Sequence, residues 1–191
     1  MKLERLRAEI DRIDSRILSL LEERMEKAVL TRRLKPGTRD AAREAEILAR
    51  VASRSLCLSR PDFTAGLYRA ILTESRALQD AEPRLVGFQG THGAYSEAAV
   101  RAWDQEAAAI PFSEFSQVFD GVLDGSLDFG VVPVENTLGG IVGQVNSILV
   151  TTELRVVAAV DLPVNHCLLV VPGQDHREIR TVYSHPQALA Q

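Results

Sequence analysis

The sequence has 191 residues, of which 46% are hydrophobic and 25% charged, a composition typical of one or two globular domains. This apolar content excludes a chain that is disordered throughout. The sequence contains no run of about 18 apolar residues, so it predicts no membrane-spanning helix. The charged start MKLERLRAEID lacks the apolar stretch of a signal peptide. Cys57 and Cys167 form no metal-ligand pattern, and the net charge of -4 does not indicate nucleic-acid binding. We expect a reduced, cytoplasmic protein.

The two parts of the chain differ in charge and in glycine content. Residues 1–83 carry 17 Lys and Arg against 14 Asp and Glu, whereas residues 84–191 carry 5 against 12. Of the 12 glycines, two precede residue 84. These differences predict two domains of different class, at 1–80 and 84–191, joined by a polar linker at 81–83 that ends in proline.

The first part is predicted to be helical. Its apolar residues are spaced alternately 3 and 4 apart along a heptad seam, which consists of Leu3, Leu6, Ile10, Ile13, Ile17 and Leu20. The pattern continues to Lys35, before Pro36, and predicts a helix roughly 50 Å long. Further helices are predicted over 39–56 and 61–79. Since such a long helix cannot bury its seam within its own small domain, the seam predicts a helical dimer.

The second part alternates short apolar runs with helical patterns. Strands are predicted at 84–89, 129–134, 154–160, 167–171 and 181–184, and helices at 96–103, 115–123 and 143–149. This alternation predicts a doubly wound α/β architecture.

A charged residue interrupts the helical seam. Arg24 occupies the seam position after Leu20, where a charge is costly unless an anion meets it, and Lys35 lies three turns further along the same face. A small anion pocket would explain this placement. A solvated ion pair of Arg24 with Glu22 or Glu26 would explain it as well, and spacing alone leaves both explanations open.

Polar residues also share a face on each of the next two helices. The sets are Asp40, Arg43 and Glu44 on the second helix, and Ser75 and Gln79 on the third. Inward-facing polar groups that converge in a helical bundle suggest a polar pocket for a small anion.

In order and spacing, these residues resemble the all-helical chorismate mutase domain that opens bifunctional proteins of phenylalanine biosynthesis. The matching motifs cover residues 1–80 and are LRAEIDRID at 6–14, LLEER at 20–24, Lys35, RDAARE at 39–44 and ESRALQ at 74–79. The resemblance implies an intertwined helical dimer that rearranges chorismate to prephenate. This rearrangement is pericyclic, so we expect neither a metal nor a cofactor.

The resemblance also implies roles for individual residues. These are carboxylate binding by Arg7 and Arg24 with support from Arg43 and Ser75, donation to the ether oxygen by Lys35 and Gln79, and binding of the ring hydroxyl by Glu44 and Asp40. The planar guanidinium matches a carboxylate, and donors at the breaking ether bond stabilise developing charge.

The positions of the two arginines provide a separate argument for a dimer. Arg7 and Arg24 are 17 residues apart, which is about 25 Å along one helix. They cannot both hold one small ligand within a single chain, whereas an antiparallel helix from a second copy would bring its Arg7 to Arg24. We therefore expect a homodimer with shared sites.

Three motifs in the second part follow or border predicted strands, where ligand sites of parallel sheets lie. They are GFQGTHGAYSE at 87–97, VPVENTLGG at 132–140 and YSHPQAL at 183–189. The first lacks nucleotide-loop spacing, and a tight turn with a helix cap at Ser96 would explain it equally well. Similarly, His185 is explained either as a catalytic group or as a helix-start residue before Pro186.

Together, the three motifs resemble the first part of a prephenate dehydratase domain. The resemblance implies two periplasmic-binding-protein-like lobes that hold prephenate and convert it to phenylpyruvate, water and carbon dioxide. By resemblance, the cleft residues are Asn136, Thr137, Ser184 and His185, with Ser96 nearer the periphery.

The Thr-Arg-Phe motif of that family and its regulatory ACT segment do not occur in this sequence. We expect a truncated dehydratase domain, with little or no dehydratase activity in this chain. Two alternatives stay open: a phenylalanine- or prephenate-binding regulatory module without catalysis, and a non-catalytic helical dimerisation scaffold that carries a ligand-binding α/β lobe. No nucleic-acid or membrane partner is expected under any of these interpretations.

Overall fold

Three helices form the first part of the chain. The computed structural model describes residues 3–35, 37–54, 58–184 and 188–189. Within them, α1 spans Leu3–Arg32, α2 spans Ala41–Ser53 and α3 spans Pro61–Asp80. All three predicted helices are confirmed. Both α1 and α2 pack against α3, which buries Ile71 and Leu72.

The first helix ends three residues earlier than its apolar pattern indicates. Beyond Arg32 the chain forms a turn in which Arg33 and Leu34 donate to carbonyls three residues back. The prediction that Lys35 belongs to this helix is wrong. The residue before a proline is disfavoured in the α conformation, so Pro36 in the sequence ends the helix before Lys35.

The heptad seam is exposed along the first part of α1. Five of its six large apolar side chains remain about half exposed or more, namely Leu3 62%, Ile10 55%, Ile13 53%, Ile17 49% and Leu20 62%, whereas Leu6 is partly buried. Val29, further along the same helix, is 6% exposed. A single chain therefore covers only the carboxyl-terminal part of its longest helix.

A three-stranded parallel sheet organises the second part. Its elements are β1 Leu85–Gln89, α4 Tyr95–Trp103, β2 Ala108–Phe112, α5 Phe115–Leu123 and β3 Phe129–Val131, with strand order β2-β1-β3. The predicted helices over 96–103 and 115–123 and the strands that begin at 84 and 129 are confirmed, although β3 ends before residue 134. The alternation of strand and helix is that of an α/β domain.

Alternate residues of the sheet pack on opposite layers. Val86 and Phe88 on one face contact Val100 of α4. On the other face, Leu85 and Ile110 pack with Leu127 and with α1. Both faces of this small sheet are therefore covered, as is typical of parallel sheets.

Gly87 lies in the central strand where α5 and the following loop approach most closely. A Cβ at this position would lie 2.5 Å from Cδ1 of Leu127 and 3.2 Å from the ring of Phe112. Only a residue without a side chain fits this packing, so Gly87 sets the distance between the sheet and that loop.

The sequence analysis missed β2. Its sequence, AAIPF, combines alanines and a proline, which are weak strand formers. Pro111 is tolerated because β2 is at the edge of the described sheet, where a strand has one paired side. Pairing with β1, rather than local preference, makes this segment a strand.

A short hairpin and a helix follow the sheet. Strands β4 (Glu135–Asn136) and β5 (Gly140–Ile141) pair antiparallel and precede α6 at Gly143–Thr151. Val145 anchors α6 in the interior. The helix predicted at 143–149 is confirmed.

The strands predicted at 154–160, 167–171 and 181–184 are wrong for the described residues. Residues 152–184 contain one 3-10 turn at His176–Glu178 and otherwise no regular element. This irregular segment contacts the α/β lobe, which is the sheet with α4 and α5: the Tyr95 hydroxyl of α4 donates to the Asn165 carbonyl at 2.6 Å. An apolar segment becomes a strand only when another strand supplies its backbone partners, and these segments pair with none of the described strands.

The two parts of the chain are in contact. Val29 of α1 joins the core of Leu85, Ile110 and Leu127 beneath the sheet. The guanidinium of Arg33 pairs with Asp128, whose carboxylate also accepts from the Leu85 N–H. The carboxyl-terminal part of α1 therefore belongs to both hydrophobic cores.

Candidate active site

The charged seam residue Arg24 points toward α3. Its guanidinium donates to the hydroxyl of Ser75, which is buried and itself donates to the Ile71 carbonyl at 2.8 Å. Among the described residues, no acidic side chain pairs with Arg24. The ion pair with Glu22 or Glu26 that the sequence left open is therefore absent there. A half-buried cation with a neutral partner is a ready receptor for a carboxylate.

Gln79 lies one turn beyond Ser75 on the same face of α3. Its side chain is 5% exposed, and its amide nitrogen donates to the Ala28 carbonyl at 2.6 Å and contacts Thr31 Oγ1 at 3.4 Å. Its amide oxygen is buried without a hydrogen-bond partner among the described residues.

Lys35 lies just outside α1, in the turn that leads to α2. Its ammonium donates to the Thr38 carbonyl at 3.1 Å, and its side chain is only partly exposed. The expectation that it shares the face of Arg24 through helical spacing is wrong because the helix has ended. Its long, flexible side chain is free to exchange this one hydrogen bond for another.

The three polar residues at the start of α2 do not all face one pocket, although the sequence analysis predicted that they would. Asp40 caps the helix by accepting from the Arg43 N–H at 2.9 Å. The guanidinium of Arg43 pairs with Glu46 at 2.6 Å, and this contact lowers the pKa of Glu46. Glu44 is half-buried and lies 3.6 Å from the Nε of Arg76 on α3. Of the three predicted pocket residues here, only Glu44 faces α3.

Arg7 is exposed near the start of α1, five turns from Arg24. The structure brings Arg24, Ser75 and Gln79 together between α1 and α3, and leaves Arg7 apart from them. The exposed seam lies between the two arginines along the same helix.

In the second part, Asn136 shapes the hairpin turn. Its side-chain oxygen accepts from the N–H groups of Leu138 at 2.9 Å and Gly139 at 3.2 Å. Thr137 at the tip and Ser184 in the irregular segment are exposed. His185 lies outside the described residues. The structure gives no shared pocket for these predicted cleft residues within the described part of the chain.

The predicted helix cap at Ser96 is wrong. Helix α4 begins at Tyr95, and the capping residue Ala94 supplies no side-chain bond. Instead, the carboxylate of Glu97 turns back and accepts from the Gly93 N–H at 2.7 Å. A longer acidic side chain in the first turn replaces the short cap because it also reaches other donors.

One of these donors is His92, which the sequence analysis did not consider. Its Nδ1 lies 3.1 Å from Glu97 and its Nε2 lies 2.7 Å from Glu26 of α1. Burial raises the pKa of Glu97, but hydrogen bonds from Gly93, Arg101 and His92 outweigh it and lower that pKa to about 2. The sequence signal that could have identified His92 was a histidine in a glycine-rich turn, followed five positions later by an acidic residue, Glu97.

A cavity of about 390 Å³ lies at the junction of the two parts. Its lining includes Gln79, the apolar Val29 and Leu85, and the arginines 32, 33 and 84. Within the described ranges, no set of three or more His, Cys, Asp or Glu side chains is placed to hold a metal ion. None of the described helices is both long and apolar enough to cross a membrane.

Two family models match the sequence, one over each part. Residues 6–80 match the model of chorismate mutase type II, and residues 86–191 match the model of prephenate dehydratase. The second match covers more than half of the chain. No solved structure matches.

Curated relatives show the same division. A bifunctional chorismate mutase/prephenate dehydratase of Escherichia coli (strain K12) is 31% identical over 206 aligned positions, which cover 97% of this chain and 53% of the relative. Arogenate dehydratase 1 of Petunia hybrida is 44% identical over 106 positions, or 56% of this chain and 25% of the relative. An arogenate dehydratase/prephenate dehydratase of Arabidopsis thaliana is 42% identical over the same length. The chain thus spans about half of the bifunctional relative.

Proposed function

This chain belongs to the prephenate dehydratase family, and from that premise we propose that its helical part is a chorismate mutase that converts chorismate to prephenate. The observation that carries the proposal is the convergence of Arg24, Ser75 and Gln79 between α1 and α3. These groups are a cation without an acidic partner among the described residues, a hydroxyl and an amide. They suit a small anionic substrate that needs no covalent catalysis.

The proposed mechanism uses binding and charge stabilisation. Arg24 binds one carboxylate of chorismate, and Ser75 keeps the guanidinium in place. The carboxylate supplies the counter-charge that Arg24 lacks, and the pocket between two helices holds the substrate in its compact reactive form. The Claisen rearrangement then breaks the ether bond as the new carbon–carbon bond forms.

The breaking ether oxygen gains negative charge, and we assign its stabilisation to Gln79 and Lys35. The Gln79 amide nitrogen donates to the Ala28 carbonyl in the free chain, so substrate binding exchanges one hydrogen bond for another. Lys35 makes the same kind of exchange at Thr38. Donors placed at the oxygen where charge develops lower the barrier of the rearrangement.

Among the α2 residues, Glu44 is the best-supported ligand for the ring hydroxyl because it faces α3 and is half-buried. We assign Asp40 and Arg43 supporting roles, since the first caps α2 and the second pairs with Glu46. In their present contacts these two residues position the helix that carries Glu44.

We propose that the functional unit is a homodimer in which the Arg7 of a second copy completes the site. The exposed apolar seam supports this proposal, because five large side chains along one helix face lack a cover. Antiparallel pairing along the seam would bring Arg7 of one copy to Arg24 of the other. The few cysteines and the expected metabolite substrates agree with a cytoplasmic location.

For the second part we propose a lobe that binds prephenate through Asn136, Thr137, Ser184 and His185, within a periplasmic-binding-protein-like dehydratase fold. The match to prephenate dehydratase over residues 86–191 supports this assignment. The names of the plant relatives make arogenate the alternative ligand, which carries an amino group where prephenate carries a keto group. Binding of each ligand to this chain separates the two.

The test of the mutase proposal is chorismate consumption by the purified chain. We expect Arg24→Ala to lower kcat/KM by at least about a hundredfold, as for the loss of one key electrostatic donor. Arg12→Ala is the matched control because Arg12 is exposed on the same helix and, among the described residues, bonds only the Ala8 carbonyl. A folded, dimeric wild-type chain that consumes no chorismate would support the scaffold alternative instead.

The shared site is tested by mixing two inactive variants. Arg7→Ala and Arg24→Ala should each be inactive alone. In a heterodimer one of the two sites carries both substitutions and the other carries none, so an equal mixture after subunit exchange should regain about a quarter of wild-type activity. No recovery, with exchange confirmed by mass spectrometry, would contradict site sharing.

A further inference from the structure

His92 connects the two parts of the chain through both of its ring nitrogens. It lies in the loop between β1 and α4, where Nε2 is 2.7 Å from Glu26 of α1 and Nδ1 is 3.1 Å from Glu97 of α4. Both carboxylates are buried, with 7% of each residue exposed. One imidazole ring therefore joins buried acids from two different domains.

When both carboxylates are ionised, this arrangement favours the imidazolium form. A neutral imidazole has one N–H and one lone pair, so it can donate to only one of the two carboxylates. The other carboxylate would then face a lone pair in a partly buried site, which is repulsive. With both nitrogens protonated, His92 donates two charge-assisted hydrogen bonds.

The two carboxylates bound by His92 differ in how many other donors they have. On the α4 side, Glu97 also accepts from Arg101 at 2.7 Å and from the Gly93 N–H, so it remains well compensated without His92. On the β1 side lies the uncharged ring of Phe88, 6.0 Å away. On the α1 side, no other charged group pairs with Glu26 in the described ranges. Glu26 therefore depends on His92 for its counter-charge.

The contact belongs to one face of α1. Glu26, Val29 and Arg33 are spaced by three and four residues, so they lie on one side of the helix and its following turn. All three contact the α/β lobe, through His92, the core beneath the sheet and Asp128 respectively. Arg24 lies two residues before Glu26 and faces α3 instead. The lobe thus docks on the side of α1 that the candidate active site leaves free.

We propose that His92 and Glu26 form a proton-dependent clasp that holds the α/β lobe on α1. When His92 loses its proton, Glu26 is left as a buried carboxylate without a counter-charge, which favours separation of the lobe from the helix so that water can reach it. Val29 and Arg33 remain as the proton-independent part of the same contact.

The pH range of the clasp follows from the direction of the shift. The hydrogen bond to Glu26 raises the pKa of His92 above its ordinary value of 6.5, with burial opposing and Glu97 adding to the rise. A raised value means that docking and protonation favour each other. The clasp is therefore fully present below the ordinary value and is lost as the pH rises through the raised value of the docked state.

The experiment is an NMR titration of the whole chain with labelled histidine and labelled methyl groups. The His92 signal is assigned by its disappearance in His92→Gln. We expect wild-type His92 to titrate above 6.5. In Glu26→Gln its titration should move to lower pH, whereas Glu22→Gln, at an exposed position on the same helix, should leave it unchanged.

Docking is read in the same samples from methyl contacts between Val29 and Leu85. We expect these contacts to be present at acidic to neutral pH and to weaken as His92 loses its proton. The wild-type titration does not depend on Glu26→Gln, so it tests the proposal even if that variant fails to fold. Contacts that stay constant through the titration of His92, or a His92 titration unaffected by Glu26→Gln, would overturn the proposal.

Discussion

The two parts of α1 belong to one continuous helix but have opposite surroundings. Between Leu3 and Leu20, five of the six seam side chains are about half exposed or more, whereas Val29, on another face of the helix, is 6% exposed. The later part lies between α3 and the α/β lobe, and the earlier part extends away from both. An amphipathic pattern thus specifies which face of a helix needs a cover, while the rest of the molecule determines which covers are available.

The largest expected effect comes from breaking the exposed part of the helix. Ile13→Lys combined with Ile17→Lys places two charges on the seam. Since burial of each isoleucine contributes about 1.5–3 kcal/mol, the dimer dissociation constant should rise at least about a hundredfold. Sedimentation velocity would measure the change. Ser15→Lys, on the outer face of the same helix, should leave the dimer intact, and a dimer that persists in the double variant would contradict the proposed interface.

A smaller effect is expected from Glu97 of α4, near the covered part of α1. Its carboxylate contributes stability that acid removes. The pKa of Glu97 is lowered to about 2 from an ordinary 4.5, because hydrogen bonds from Gly93, Arg101 and His92 outweigh its burial. A lowered value in the folded state contributes stability that is fully present above 4.5 and is lost as the pH falls toward 2. The contribution is on the order of 2–3 kcal/mol.

Urea unfolding of the α/β lobe between neutral and acidic pH would measure this loss. Glu97→Gln should flatten the acid part of the curve, because glutamine has no proton to gain there. Glu106→Gln, near the end of the loop after α4 and exposed, serves as the control and should retain the slope. An acid limb that is unchanged in Glu97→Gln would contradict the role of this carboxylate.

The next prediction separates the two parts of α1 by their response to concentration. Val29→Ala leaves a space in a core that belongs to one chain, so it should cost about 2 kcal/mol at every protein concentration. Ile10→Ala removes a side chain that a second copy covers in the proposed dimer, so its cost should depend on protein concentration. Thermal unfolding over a hundredfold dilution series would compare them. Equal concentration dependence in the two variants would contradict the distinction.

The smallest effect concerns the charged edge of the covered part. Arg33→Ala removes the pair with Asp128, in which both side chains are about a third exposed. Solvent screening limits the loss of folding stability to about 0.5–1 kcal/mol. The bond that Asp128 keeps from the Leu85 N–H also limits this loss. Arg5→Ala, which removes the more exposed pair with Glu9, should cost less. Chemical denaturation of both variants provides the comparison.

The sequence was most informative where local preference and tertiary contact agree. The three helices of the first part and α4, α5 and α6 follow from their apolar spacing and their turn residues. It was least informative where pairing decides: β2 is a strand despite Ala109 and Pro111, and residues 154–171 are irregular despite their valines. A strand depends on a neighbour that can be distant in sequence, whereas a helix satisfies its own backbone.

For the candidate site, the sequence identified residue types better than their contacts. The pairing of Arg24 with Ser75 and the inward position of Gln79 fit the spacing along their helices. The positions of Lys35 and Arg43 do not fit it, because Pro36 ends α1 early and Glu46 offers a closer partner. Helical spacing predicts which side chains share a face only while the helix continues.

By itself, the sequence determined the long amphipathic helix, the two classes of domain and the polar positions along the helical part, without deciding between an anion pocket and solvated ion pairs. These properties depend on spacing and residue chemistry, which are local. Only the tertiary structure decided that the carboxyl-terminal part of α1 is shared by both domains and that His92 bridges Glu26 and Glu97. The acids of this bridge are 71 positions apart in the sequence. No local pattern links them, because folding alone brings them to the two nitrogens of one ring.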